Sequence, residues 1–188
     1  MTASVLLLLL INFLAIGALP RVFFRKDGSL NARWWMTALP FFGVPVFLAF
    51  AFAARWVPTL PGGWTPVLQL VAVPLSASSI ALTFLTVGTH RTPIALWHQE
   101  NDAPGSIVTH GAYRWIRHPF YASFIAAFLA GAAAFPHPVT IGCLAYGVIG
   151  LDITARREEK RLSASEFGSE YRRYMQRTGR FLPRPGVG

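Results

Sequence analysis

Between residues 109 and 121 the chain runs Thr-His-Gly-Ala-Tyr-Arg-Trp-Ile-Arg-His-Pro-Phe-Tyr. Tyr113, Arg114, Arg117, His118 and Tyr121 thus gather within nine residues, directly against the start of an apolar segment. Guanidinium groups grip anions bidentately, an imidazole moves protons near neutral pH, and a phenol donates a hydrogen bond. A second polar cluster, Arg156-Arg157-Glu158-Glu159, follows the last apolar segment. Ionisable groups at such positions are costly unless they are used or paired. If the two flanking segments are short spanning helices, both clusters meet at one membrane face, and the pair reads as an active site at the membrane surface.

The elements that must position these groups are apolar helices. Hydrophobic residues make up 53% of the 188, and charged residues only 13%, about half the share of a soluble domain. The fold expected is all-α and integral to a membrane. Five segments, residues 5–19, 36–57, 67–88, 120–135 and 139–153, span or nearly span a bilayer, which takes about 20 helical residues. The last two flank Pro136-His137-Pro138, a turn that cannot continue a helix, so a tight helical hairpin is expected there. Small residues at Ala122, Ala126 and Ala130, and a strip of Gly142, Tyr146 and Gly150, would let its backbones approach closely. Cys143 is the single cysteine, which leaves no disulfide framework and no thiolate metal site.

Charge sets the orientation. Of 17 Lys and Arg, four lie between segments one and two, three between segments three and four, and nine after segment five, leaving Arg55 alone on the other side. The positive-inside rule then places the N-terminus outside and the C-terminus in the cytoplasm. No basic residue precedes the first segment, so it reads as a helix of the mature protein and not a signal peptide. The basic clusters hug membrane boundaries, so anionic headgroups account for the net charge of +9 without nucleic acid.

One domain is expected: three helices in residues 1–88, a cytosolic loop in 89–118, the hairpin in 119–153 and a cytosolic tail in 154–188. In the tail a polar helix continues segment five to about Leu162. Ser163-Ala164-Ser165-Glu166 then has capping-box spacing for a fresh helix. Phe167, Tyr171, Tyr174 and Met175 fall on one side of that helix, opposite Arg172, Arg173 and Arg177, a pattern suited to lying along headgroups or folding back over the loop.

Each constellation also has a purely structural explanation. His90, His98, His110 and His118 share the loop region but match no chelating spacing, and no cysteine supports them, so no metal is expected. Arg117-His118-Pro119 suits a helix start, with Pro at the first position and Arg snorkelling. That leaves the crowding of Tyr113, Arg114, His118 and Tyr121 unexplained. Glu158 and Glu159 fit a solvated helix face, yet a carboxylate at a membrane boundary beside a cationic loop can bind an amino group or a sulfonium-bearing ligand. Asp152, just inside segment five, pairs with Arg156 four residues on or serves the site. His137 reads as structural.

The run from His110 to Tyr121, followed by Arg157-Glu158-Glu159, Leu162, Phe167-Gly168, Glu170-Tyr171, Tyr174, Arg180 and Pro183, resembles the isoprenylcysteine carboxyl methyltransferase family of integral membrane enzymes over about the last 80 residues. The resemblance implies S-adenosylmethionine as methyl donor, leaving as S-adenosylhomocysteine, and a lipophilic acceptor arriving from the bilayer. Carried over residue by residue, His110, Tyr113, Arg117, His118, Pro119 and Tyr121 would border the cofactor. Glu158 and Glu159 would engage it or order its pocket, and Tyr171, Tyr174 and Arg180 would close it from the tail. Ala112 stands where the family commonly has Pro, and Ser123 where it commonly has Gly, a change that bears on the acceptor channel.

Methyl transfer from a sulfonium is an in-line displacement in which alignment and exclusion of water contribute most. A carboxylate or thiolate acceptor needs no base. An amine or thiol does, and His118 or Glu159 would then take the proton, while Arg117 is suited to hold a carboxylate. Two other classes share parts of this pattern. A membrane sterol-type reductase using a nicotinamide cofactor has a related Arg-His-Pro step, but usually Asn before the Tyr, where this chain has Phe120. A non-enzymatic lipid-binding scaffold would use the tail only as an interfacial anchor. The residues do not identify the acceptor.

Overall fold

The computed structural model describes residues 1–17, 28–59, 62–89 and 107–185. His90, His98, Arg21, Arg25, Lys26 and Arg91 lie outside the described residues. Within them the architecture is all-helical, without a β-strand: α1 Ala3–Gly17, α2 Ala32–Ala53, α3 Thr65–Thr89, α4 Pro119–Ala134, α5 Pro138–Ser163 and α6 Gly168–Arg177. Short 3-10 turns occur at Gly62–Trp64 and Gly111–Arg114. Helices α3 and α5 are long and apolar enough to cross a membrane; α1, Leu39–Ala53 of α2, and α4 are shorter apolar helices. Large apolar side chains such as Leu14, Leu39, Val46, Leu70 and Phe84 face outward, a surface that water does not favour but hydrocarbon accepts.

Helix α4 is the central element, with eleven of its sixteen residues buried. Phe41 of α2 sits with its ring 4.5 Å from those of both Phe124 and Phe128, and Phe13 of α1 lies 5.9 Å from Phe128. Leu9, Val44, Leu48 and Leu151 complete this fully buried core. A polar clasp crosses it. The Ser79 hydroxyl of α3 reaches both the Asn12 side-chain oxygen of α1 (2.8 Å) and the Ser123 carbonyl of α4 (2.7 Å). In an apolar interior such contacts hold helices together where the hydrophobic effect supplies little between them. Ser123 is buried and its own hydroxyl bonds the Phe120 carbonyl at 2.7 Å, so this side chain caps a local carbonyl inside the bundle.

Contacts at the helix ends fix the up-and-down order. At one end Thr2 N donates to Gln69 (3.3 Å), and Thr59 donates to the Pro136 carbonyl through both its N–H (3.0 Å) and its hydroxyl (2.8 Å). At the other, Gly111 lies against Thr89 in a left-handed conformation, φ 61°, where an added Cβ would come within 2.3 Å of the Thr89 hydroxyl. Glycine is required there on both counts.

Several expectations need correction. The turn between α4 and α5 forms, and Pro119 and Pro138 both start helices, but α4 packs more extensively on α3 than on α5. On α5 the buried strip is Thr140, Gly147, Leu151, Ala155 and Glu159, while Gly142 and Tyr146 face outward. The chosen strip was one helical step off because several strips of α5 have similar apolar content, and only the partner distinguishes them. The capping box expected at Ser163 is absent: α5 runs through to Ser163, and α6 begins after Phe167 with no side-chain cap. Ser165 instead bonds the Leu162 carbonyl at 2.7 Å, and Gly168 packs where a Cβ would lie 2.3 Å from the Ser163 carbonyl. The capping box that does form is His137 with Thr140 at the start of α5, which gives His137 its structural role. Helix α2 stops at Ala53, short of residue 57, because the chain reverses at Arg55.

Gly147 offers a direct check of the α4–α5 contact, since a Cβ there would meet the Phe128 ring at 2.7 Å whereas one at Gly142 meets nothing within 4 Å. Gly147→Ala is expected to lower stability by about 1–3 kcal/mol through overpacking. Gly142→Ala should not, and thermal unfolding of the two variants in detergent measures the difference.

Candidate functional site

The site forms where the start of α4, the polar extension of α5 and the tail meet. Pro119 at the first position of α4 leaves Arg117 and His118 in non-helical backbone just before the helix. That segment is paired by the chain beyond α6. Arg117 N donates to the Gly179 carbonyl (2.8 Å), His118 N to the Arg180 carbonyl (3.0 Å), and Gly179 N back to Trp115 (3.2 Å), a parallel bridge between Ile116 and Gly179. Gly179 is obligatory, because a Cβ would lie 1.7 Å from the Leu182 carbonyl.

Glu159 is the centre of charge. Arg180 grips it with two bonds, Nε to Oε1 (3.1 Å) and Nη2 to Oε2 (2.6 Å), and Arg117 Nε adds a third to Oε1 (3.0 Å). Arg117 also donates to the carbonyls of Thr178 and Met175 at the end of α6. Arg180 reaches on to Asp152 at 2.7 Å, and Asp152 holds Arg156 at 2.6 Å. Asp152 therefore pairs with Arg156 as the sequence suggested and also braces Arg180, which spacing along one helix does not reveal. The Glu159 side chain is 9% exposed and that of Arg117 11%. Burial alone pushes the Glu159 carboxyl up, but the His118 imidazole and the Arg180 and Arg117 guanidiniums outweigh it and hold the group well below the usual carboxylate range. It stays ionised and is a weak base.

Glu158, on the next position of α5, is different. Its side chain is 37% exposed, it accepts from the Tyr121 hydroxyl at 2.6 Å, and its other oxygen lies 3.5 Å from His118 Nδ1. Burial raises its carboxyl above the ordinary value, against the pull of Tyr121, His118 and Arg161. His118 is buried between the two acids. Its ring stacks on Tyr121 with centroids 5.3 Å apart and tilts against Phe181 at 6.2 Å. His118 Nε2 lies 3.4 Å from Glu159 Oε1 without hydrogen-bond alignment, and is a buried nitrogen with no hydrogen-bond partner.

Helix α6 packs against the turn that precedes α4 with the face anticipated from its pattern. Tyr171 and Tyr174 are buried, their rings 5.9 Å apart, and Arg172, Arg173 and Arg177 are exposed. Tyr174 donates to the Tyr113 carbonyl at 2.6 Å. Burial pushes the Tyr174 phenol up to about 12 and raises those of Tyr113 and Tyr171 further, so all three remain neutral donors. Of the candidate residues, Arg117, His118, Tyr121, Glu158, Glu159 and Arg180 form one contiguous network, with Pro119 setting its helix and Tyr113, Tyr171 and Tyr174 along its flank. His110 is exposed ahead of the Gly111–Arg114 turn. Sequence reading missed Thr178 and Phe181; the Thr-Gly step before Arg180 was the available signal.

Of the groups present, the partly exposed Glu158 carboxylate is of a kind that suits an amino group and the aromatic faces of a kind that suits a sulfonium or an adenine, while the guanidiniums of Arg117 and Arg180 are engaged by Glu159. Among the described residues no group of three His, Cys, Asp or Glu is arranged to hold a metal ion.

The described residues thus form an apolar helical bundle, two of whose helices are long and apolar enough to cross a membrane, with this polar network at one end. The particular family is given by comparison: the model of the isoprenylcysteine carboxyl methyltransferase (ICMT) family matches residues 86–164, so over that stretch, under half of the chain, the sequence is similar to a methyltransferase family, in line with the resemblance carried by the motifs from His110 to Glu159. No curated protein matches the chain.

Because Glu159 is depressed below its ordinary 4.5, its contribution to stability is complete above that value and is lost as pH falls through the lower folded one. The tail should therefore stay docked across neutral and mildly acidic pH and release only in strong acid, as followed by limited proteolysis after α5. Glu159→Ala would leave Arg117 without a carboxylate and Arg180 with Asp152 alone, a loss of up to about 3–5 kcal/mol, and should loosen the tail at neutral pH.

Proposed function

We propose that the chain transfers a methyl group from S-adenosylmethionine to a lipophilic acceptor that reaches the network from the bilayer, either an isoprenylcysteine-type carboxylate or a thiol or lipid group. The observation that carries this reading is a coincidence. Arg117, His118, Tyr121, Glu158 and Glu159 all fall in the family-matched residues 86–164, and the first three meet the two glutamates in space although 37 to 42 residues separate the members of each such pair.

When bound, S-adenosylmethionine supplies an electrophilic methyl on a sulfonium. The residues of the chain hold, orient and desolvate. Glu158, anchored by Tyr121, is the carboxylate left to meet a cationic amino group. Glu159 is an organiser: its oxygens are committed to Arg117 and Arg180, and it locks the tail over the loop. Tyr113, Tyr171 and Tyr174 wall the site against water, which favours a displacement that needs alignment more than acid–base chemistry. Should the acceptor carry a proton, the unpartnered Nε2 of His118 is the atom suited to take it.

In this reading α1 to α5 make five crossings, with the N-terminus outside and the network on the cytoplasmic face. The distribution of Lys and Arg along the sequence supports that orientation, with 16 of 17 between segments one and two, between segments three and four, or after segment five.

Calorimetric titration of the detergent-purified chain with S-adenosylhomocysteine tests the proposal. Binding in the micromolar range is expected, weakened about tenfold or more, equivalent to 1.4 kcal/mol, by Glu158→Gln and by Tyr121→Phe, with both variants remaining folded. Folded protein that ignores S-adenosylhomocysteine but binds a nicotinamide dinucleotide would sink it.

A further inference from the structure

At the end of the bundle opposite the Glu159 network, α2 closes through Arg55 N to the Phe52 carbonyl (3.1 Å) and Trp56 N to the Ala51 carbonyl (2.8 Å), and the reversal sets Arg55 at φ 56°. Glycine takes this left-handed conformation freely, whereas a residue with a Cβ is strained in it. Among the described non-glycine residues Arg55 alone has a positive φ. A guanidinium is therefore held where glycine would be easier, the kind of local strain that points to a use.

Three observations bear on that use. First, Arg55 lines an open cavity of about 480 Å³ with Met1, Phe52, Ala53, Trp56 and Phe135, within the size range of small-ligand sites, and its lining side chains are apolar apart from the guanidinium. Second, no Asp or Glu occurs in residues 1–26, 28–99 or 103–151, so among the described residues no carboxylate side chain belongs to the segments that meet here. His137, the other titratable side chain packed nearby, is stacked with Phe135 (5.8 Å) and tilted against Trp56 (6.0 Å), and its Nδ1 accepts from Val139 N. Third, Trp56 and Trp64 are exposed at this end, the placement indoles take at headgroup depth.

We propose that this cavity seats the phosphate headgroup of an anionic phospholipid, with Arg55 as its bidentate partner and Phe52, Trp56 and Phe135 against the glycerol and first methylenes. The planar guanidinium matches phosphate geometry. A zwitterionic lipid would bring a second cation into a site that already has one, so the site selects anionic headgroups. Free phosphate would leave the apolar walls uncovered. The inference rests on the membrane reading but not on methyl transfer, and its test reads lipid binding alone.

The full chain in detergent is heated with dioleoylphosphatidylglycerol, with dioleoylphosphatidylcholine, or with inorganic phosphate, and bound lipid is counted by native mass spectrometry. Phosphatidylglycerol should raise the unfolding temperature more than phosphatidylcholine, and inorganic phosphate should not raise it. Arg55→Gly, which relieves the left-handed strain, should keep or raise the lipid-free unfolding temperature while losing most of the phosphatidylglycerol increment and one bound lipid. Arg55→Lys should retain part of the increment. Equal increments in wild type and Arg55→Gly, equal effects of the two lipids, or an equal effect of inorganic phosphate would each overturn the proposal. Because both proteins keep every basic residue of the opposite end, lipid bound there cancels in the comparison.

Discussion

The carboxylate of Glu159 is the interaction on which the working end of the molecule depends. Two guanidiniums, one from the segment entering α4 and one from the chain beyond α6, converge on it with three hydrogen bonds. A buried ion pair adds little net stability over apolar packing, because desolvation offsets attraction. What it does is penalise every arrangement in which one partner is missing. The tail, whose own apolar surface is small, acquires a single docked position from that penalty.

The same economy explains the sequence around it. The backbone bridge from Arg117 and His118 to Gly179 and Arg180 satisfies polar groups that would otherwise be buried unpaired at the end of an apolar bundle. Gly179 and Gly111 permit the close approaches this needs. With Glu159 fully engaged, its neighbour Glu158 is left half-exposed with one phenol bond. Adjacent residues of one type thus have divergent environments, one organising and one available, and their carboxyls are pushed in opposite directions.

Much of this was legible along the chain. The apolar segments, the proline-marked starts of α4 and α5, the amphipathic face of α6 with Tyr171 and Tyr174, and the pairing of Asp152 with Arg156 all follow from local periodicity and spacing, which any helix of that sequence obeys. The His110 to Tyr121 run and the Glu158-Glu159 pair marked the site. The end of α2 was misread because a left-handed Arg carries no compositional signal. The Ser163 capping box was misread because continued helix, stabilised by packing, overrode a weak local preference.

The sequence by itself determined which stretches are helical, which end of the bundle is basic, and which residue types could do chemistry there, because these depend on side chains a few positions apart. Tertiary structure alone decided that Gly147 rather than Gly142 faces α4, that Ser79 joins Asn12 to Ser123, and that Arg180 rather than a nearer arginine grips Glu159. Those outcomes depend on the rotation of one helix against another. Apolar residues surround α5 on most sides, so nothing in its own sequence selects the face that packs, and the choice is made only when the partner surfaces meet.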